Sequence, residues 1–93
     1  MPYALDFTDT AVDDIERLID DLPENRREGA LNGVEAECTA FAENPLFHRR
    51  VHRAPSFPIN FRVRGVGYSW AATYRISIDE STIYITHVFR RPL

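Results

Sequence analysis

The spacing of apolar residues changes once along this chain, at Asn44-Pro45, from intervals of three and four to intervals of two. A helix returns a side chain to one face every 3.6 residues and a strand every second residue, so this break predicts helices followed by strands. The implied class is α+β: an N-terminal strand, then an antiparallel helical hairpin packed on one face of a mainly antiparallel sheet. Ahead of the break, residues 3–7 form a short apolar run expected to be the first strand. Thr8 or Asp9 then caps a helix, because either side-chain oxygen accepts a hydrogen bond from the free N–H groups of a first turn. Ala11, Val12, Ile15, Leu18, Ile19 and Leu22 make its apolar stripe, with Asp13, Asp14, Asp20 and Asp21 mostly outside it, and Pro23 ends it. A second helix begins near Pro23 or Glu24 and continues the stripe through Leu31, Val34, Cys38 and Phe41. So short a connection predicts antiparallel packing. Gly29 and Gly33 either weaken this helix or permit close packing at one point.

Beyond the break, Ile59, Phe61 and Val63 share one strand face, and Asn60, Arg62 and Arg64 the other. Gly65-Val66-Gly67 reads as a turn. Trp70, Ala72, Tyr74, Ile76 and Ile78 define the next strand opposite Arg75, and Asp79-Glu80-Ser81 the next turn. Residues 82–89 are apolar on both faces, which predicts a strand either central in the sheet or covered by a partner chain. Ninety-three residues suffice for one core and not two, so residues 1–93 are expected to form a single domain. Neither a membrane-length apolar run nor a secretory leader is visible, and the expected compartment is the cytoplasm. Cys38 has no cysteine with which to pair and reads as a small core residue.

Charge divides unevenly between the halves. Residues 1–46 hold twelve acids against Arg17, Arg26 and Arg27, giving -9, whereas residues 47–93 hold eight arginines against Asp79 and Glu80, giving +6. All eleven basic side chains are arginine. The guanidinium fork suits bidentate phosphate recognition, although a genome-wide preference for arginine codons accounts equally well for the bias. His48 and His52 have the spacing of a helix face, but no second cysteine or nearby acid joins them, so neither a metal nor another cofactor is expected. Gly65 and Gly67 stand in a hairpin and not between a strand and a helix, which excludes a phosphate loop.

What remains is cationic. Arg49, Arg50 and Arg53 precede the strand bearing Arg62 and Arg64, Arg75 follows, and Arg90-Arg91 lie near the end. Alternation puts Arg62 and Arg64 on one face, and strand pairing is expected to bring Arg75 beside them. Tyr68, Trp70, Tyr74, Tyr84 and Phe89 offer surfaces for unstacked bases, so the face suits RNA or an acidic peptide. The alternative is a solvated face that pairs with the acidic helices, with the aromatics in the core. His87 is the candidate for acid–base work, since an unperturbed imidazole titrates at about pH 6.5. A structural histidine on the last strand is the alternative.

Tyr3-Ala4-Leu5-Asp6-Phe7-Thr8 with Ala11, Ile15 and Leu18, Asn44-Pro45, the segment FRVRGVGYSWAATYRISID and the ending YITHVFRRP together resemble the RelE/ParE superfamily of bacterial toxins. The resemblance covers nearly the whole chain in order of elements. It implies the toxin of a type II toxin-antitoxin pair, neutralised by an antitoxin protein that wraps it. RelE-type members cleave messenger RNA on the ribosome, while ParE-type members poison DNA gyrase; a binding module that has lost catalysis is a third possibility. By this resemblance Arg62 and Arg64 match the basic pair that binds and activates RNA, and Arg90 or Arg91 the basic residue near the end of the last strand. Arg49, Arg50, Arg53 and Arg75 are the further RNA-binding candidates. The arginine-rich sheet face favours ribosome-dependent messenger RNA cleavage, which is the expected activity, while two departures favour the non-nucleolytic alternatives. Trp70-Ala71 stands where the family often has Tyr-Arg, and the tyrosine many members carry after the terminal basic residues has no counterpart before Leu93.

Overall fold

A computed structural model describes residues 3–44 and 55–91. The helical period becomes α1 (Asp9–Asp20) and α2 (Glu24–Glu43), which follow a four-residue strand β1 (Ala4–Phe7). Thr8 caps α1 as expected, its hydroxyl oxygen accepting from the Ala11 N–H at 3.2 Å. At the other end, the Arg27 guanidinium donates to the carbonyl of Asp20, which the helix itself leaves unpaired, at 3.2 Å and to that of Leu22 in the following turn at 3.0 Å. The alternating region becomes β2 (Ser56–Val63), β3 (Val66–Ser77) and β4 (Thr82–Arg90).

The strands form one sheet in the order β1-β4-β3-β2. β2–β3 and β3–β4 are antiparallel, while β1 runs parallel to β4, from Ala4 opposite Thr82 to Phe7 opposite Ile85. Of the two expectations for the last strand, the central position is the one observed: β4 lies between β1 and β3, so along that length its edges are not open to a partner.

Both helices lie on one face of the sheet, α1 over β4 and α2 over β2. Beneath them Phe41 stacks on Phe57 with ring centroids 4.0 Å apart and meets Tyr74 at 4.7 Å, among the fully buried Ile59, Ile83 and Ile85. α2 comes close to β2 at two glycines, not one. A Cβ on Gly29 would lie 2.8 Å from Val63 Cγ1, and one on Gly33 2.8 Å from the Phe61 ring. Because the helices sit over different strands, the joint stripe does not close fully, and Val12 and Leu31 each remain 41% exposed. Leu31 therefore falls outside the core in which the sequence places it.

The first β-turn differs from expectation. Val63 pairs with Val66, and the two residues between them, Arg64 and Gly65, have φ of 51° and 82°. Positive φ at both positions is the type I′ geometry that matches the twist of paired strands, so the turn is Arg64-Gly65 and not Gly65-Val66-Gly67. Similarly, β3 ends at Ser77, which leaves Ile78 exposed in the next turn. With Val63 and Val66 as the hydrogen-bonded closing pair, the backbone of Pro58 faces away from β3. Proline costs the ladder nothing there and removes one donor from the outer edge of β2.

Candidate functional site

The sheet face turned away from the helices carries rows of side chains set by strand register. Arg62 stands opposite Gly67; Asn60 opposite Ser69; Pro58 opposite Ala71, which is itself opposite Phe89; and Thr73 opposite His87. Arg91 extends the Asn60–Ser69 row, since its N–H donates to the Ser69 carbonyl at 3.1 Å. Within that row Arg91 Nε donates to Ser69 Oγ at 3.1 Å, and Ser69 Oγ donates to Asn60 Oδ1 at 3.0 Å. Arg62 lies across Gly67 and donates to the Gly65 carbonyl at 2.7 Å. A shallow depression of about 520 Å³ at this end of the sheet is lined by Asn60, Arg62, Ser69 and Arg91 from the open face and by Phe61, Tyr68, Trp70 and Arg90 from helix-side positions.

Not every candidate arginine joins it. Arg64 belongs to the turn, and its Nε donates 3.2 Å to the Asn25 carbonyl at the start of α2, so it does not share the Arg62 face. Arg75 is eight residues along β3 from Gly67, about 27 Å at the usual rise per residue, and so is not beside Arg62. Its guanidinium instead covers the Tyr84 ring at 4.3 Å. The Tyr84 hydroxyl donates to Glu80 at 2.8 Å; this bond foremost, then that from Ser77 and the charge of Arg75, holds the Glu80 carboxyl below the usual carboxylate range. Arg90 is opposite Trp70 on the helix side, where it pairs with Asp21 at 2.6 Å. Both partners are exposed, so this pair contributes at most about 1 kcal/mol. Arg49, Arg50, Arg53, His48 and His52 lie outside the described residues.

Trp70 and Tyr74 are core residues, and Tyr68 stacks on Phe61 on the helix side with centroids 5.2 Å apart. Of the five aromatics, Tyr84 and the 42% exposed Phe89 are on the open face.

His87 reaches that face through a β-bulge. Ile83 and Ile85 point to the core, and regular alternation would send residue 87 after them. Thr73 pairs with His87 but Tyr74 pairs with Ile85, so Thr86 is an extra residue and the phase slips: Val88 turns inward and His87 outward. The Thr8 and Thr73 hydroxyls hold the bulge, at 3.2 Å from the Thr86 carbonyl and 2.7 Å from its Oγ1. Beyond Phe7 no β1 residue pairs with β4, and Asp14 of α1 occupies the vacated edge, its Oδ2 accepting the Val88 N–H at 3.1 Å. The same oxygen is 3.6 Å from His87 Nδ1, while Oδ1 pairs with Arg17. A second depression, of about 570 Å³, is lined by Asp14, Arg17, Thr73, His87, Phe89 and Arg90. Arg90 borders both depressions.

Sequence reasoning missed Asn60, Ser69 and Asp14 as site residues. A signal for the bulge is present, because the buried positions Ile83, Ile85 and Val88 pass from odd to even numbers. Among the described residues, no three His, Cys, Asp or Glu side chains are placed to hold a metal, and no helix is long and apolar enough to cross a membrane.

No family model matches the sequence, and neither does any curated protein. Solved structures do match. A mutant of Escherichia coli toxin RelE in the free state is similar at a TM-score of 0.60 with 17% identity, over 97% of this chain and 84% of that one. The intact E. coli RelBE toxin-antitoxin complex is similar at 0.55 with 16% identity, over 98% of this chain and 99% of that one. The RelBE2 toxin-antitoxin complex of Mycobacterium tuberculosis is similar at 0.55 with 24% identity, over 98% and 93%.

Proposed function

We propose that this chain, which has the RelE toxin fold, is the toxin of a type II toxin-antitoxin system and inhibits translation by ribosome-dependent mRNA cleavage. It acts in the cytoplasm as a single domain, and its partners are a cognate antitoxin, the ribosome and mRNA. The observation that carries the reading is the depression at the end of the sheet to which the open face contributes Arg62, Asn60, Ser69 and Arg91. Paired guanidiniums hold a phosphate and stabilise the charge that grows on it as a neighbouring 2′-hydroxyl attacks. Phe89, on the same face, supports stacking of an unpaired base.

A second reading keeps the fold without the chemistry. Ala71 is buried between Pro58 and Phe89 and presents no cation in its row, which favours a DNA gyrase inhibitor or a binding module. One comparison separates these. Purified protein added to translating ribosomes is expected to produce new mRNA ends, and Arg62→Ala with Arg91→Ala to abolish them, while Arg64→Ala, off the face, has a smaller effect. Intact mRNA together with loss of supercoiling by purified gyrase refutes the ribonuclease.

A further inference from the structure

Of the two terminal arginines, Arg91 is the one on the open face, since Arg90 lies on the helix side and is held by Asp21. Ser69 fixes Arg91 twice: the Arg91 N–H donates to the Ser69 carbonyl and its Nε to Ser69 Oγ, each at 3.1 Å. The hydroxyl passes its own hydrogen to Asn60 Oδ1 at 3.0 Å. We propose that Ser69 and Asn60 are positioning residues that present the terminal nitrogens of Arg91 as a fork for one phosphodiester group of RNA. The inference rests on the ribonuclease reading above for its ligand, but its test reads binding separately from cleavage.

The chain of bonds runs in one direction. An arginine Nε only donates, so Ser69 Oγ accepts there, and Asn60 takes the hydrogen that the hydroxyl has left to give. A guanidinium grips a phosphate through two parallel N–H bonds, either from Nε with one terminal nitrogen or from both terminal nitrogens. Ser69 occupies Nε, which leaves the second fork, and among the described residues no hydrogen bond from the terminal nitrogens of Arg91 is found. The backbone is restrained as well, because Arg91 pairs with Ser69 beyond the last residue of β4 and the sequence places Pro92 next, which disfavours a helical conformation at Arg91. Arg62 reaches the same depression from the neighbouring row, about 7 Å away at the usual rise of two residues. There it lies across Gly67 and gives one terminal nitrogen to the Gly65 carbonyl. Each guanidinium thus spends one donor on holding its own side chain and keeps the others for an anion between them. A free arginine loses rotamer freedom when it binds, and Arg91 has already lost it. His87, opposite Thr73, is about 14 Å along the sheet from the Arg91 row and does not touch that anion.

The test titrates the full chain with a short single-stranded oligoribonucleotide carrying 2′-O-methyl groups, which has the phosphates of RNA but no 2′-hydroxyl with which to be cleaved. Binding is read by fluorescence anisotropy over a range of salt, and a thermal melt verifies that each variant folds. Ser69→Ala is expected to weaken binding by about two- to tenfold, the cost of ordering one rotamer-rich side chain, and to leave the salt dependence unchanged because Arg91 keeps its charge. Arg91→Ala is expected to weaken binding and also to lower the slope of log affinity against log salt by about 0.7, the value for one phosphate contact on a single strand. Ser69→Thr keeps the hydroxyl and should retain the affinity. Asn60→Ala should weaken binding less than Ser69→Ala and add nothing to it, since Asn60 acts through the hydroxyl. In an Arg91→Lys background, which has no fork to orient, Ser69→Ala should have no effect. Affinity unchanged in Ser69→Ala, or lowered equally in the Arg91→Lys background, overturns the assignment, as does an oligonucleotide that fails to bind the unmodified protein. Binding with the expected pattern but no cleavage of mRNA on translating ribosomes supports the assignment and overturns the ribonuclease reading alone.

Discussion

Gly33→Ala separates helix propensity from packing, because the two predict opposite signs. In an exposed helix interior, alanine is better than glycine by about 1 kcal/mol. Gly33, however, sits in α2 where the helix crosses β2, and an added methyl would stand 2.8 Å from Phe61 Cγ and Cδ2 and 2.9 Å from its Cβ. A clash that includes the root of the side chain is not relieved by swinging the ring. The ring is held in any case, stacked on Tyr68 at 5.2 Å and edge-on to Trp70 at 5.1 Å. Relief thus requires α2 and β2 to separate. Overpacking of this kind costs about 1–3 kcal/mol, and a constrained neighbour puts Gly33 in the upper part of that range. After subtraction of the propensity gain, the expected net loss is about 1–2 kcal/mol, which lowers Tm by about 4–16 °C in a domain of this size. The assay is urea and thermal denaturation of the single variant and of its combination with Phe61→Leu, in which the cost of Gly33→Ala should shrink by about 1 kcal/mol. A Tm that rises in Gly33→Ala refutes the close approach of α2 and β2.

Two further outcomes follow from the core. Phe41→Ala removes a 2% exposed ring stacked on Phe57 and is expected to cost about 3–5 kcal/mol by denaturant titration; a loss below about 1 kcal/mol refutes its central place. Burial, followed by the charges of Glu37 and Glu35, pushes the Cys38 thiol up from its ordinary 9.0 to about 12. The folded state therefore holds this proton more tightly than the unfolded chain, so the contribution is complete below about pH 9 and is lost as pH rises toward 12. Stability curves of the unmodified protein and Cys38→Ala should converge over that window, and a constant difference refutes the assignment.

The order and type of the elements were legible because each rests on local chemistry. Thr8 caps, Pro23 and Asn44-Pro45 punctuate, and the apolar period switches after them. The failures lie where the deciding partner is distant or the local signal is ambiguous. Arg64 looks like a strand residue from alternation alone, and only the pairing of Val63 with Val66 makes it a turn residue with positive φ. Leu31 fits the stripe of α2, yet α1 lies over a different strand and does not cover it. From sequence the residues of β4 look apolar on both faces, whereas the phase slip at Thr86 divides one inward face into Ile83 and Ile85 before it and Val88 after it. Asp14 is one acid among many on a polar helix face. Its distinction comes from the mismatch between a four-residue β1 and a nine-residue β4, which leaves an N–H at the edge needing an acceptor. Arg62 and Arg91 come to line one depression from neighbouring rows through register, which spacing along the sequence does not encode.

Of the two inner strands of this sheet, β4 is made after every other strand described. Thr8 bonds to Thr86, 78 residues later, and among the described residues the strand partner of β1 is β4. A growing chain that has completed β3 therefore has a helical hairpin, one β-hairpin and an unpaired first strand, with no continuous sheet to join them. His87, Phe89 and Arg91 all come from β4 or the residue just after it, so half of the open face does not yet exist at that stage. At synthesis rates of about 5–20 residues per second, its appearance waits until β4 has emerged from the ribosome. A translation product interrupted anywhere before β4 lacks both the strand that joins β1 to β3 and the part of the open face that β4 carries.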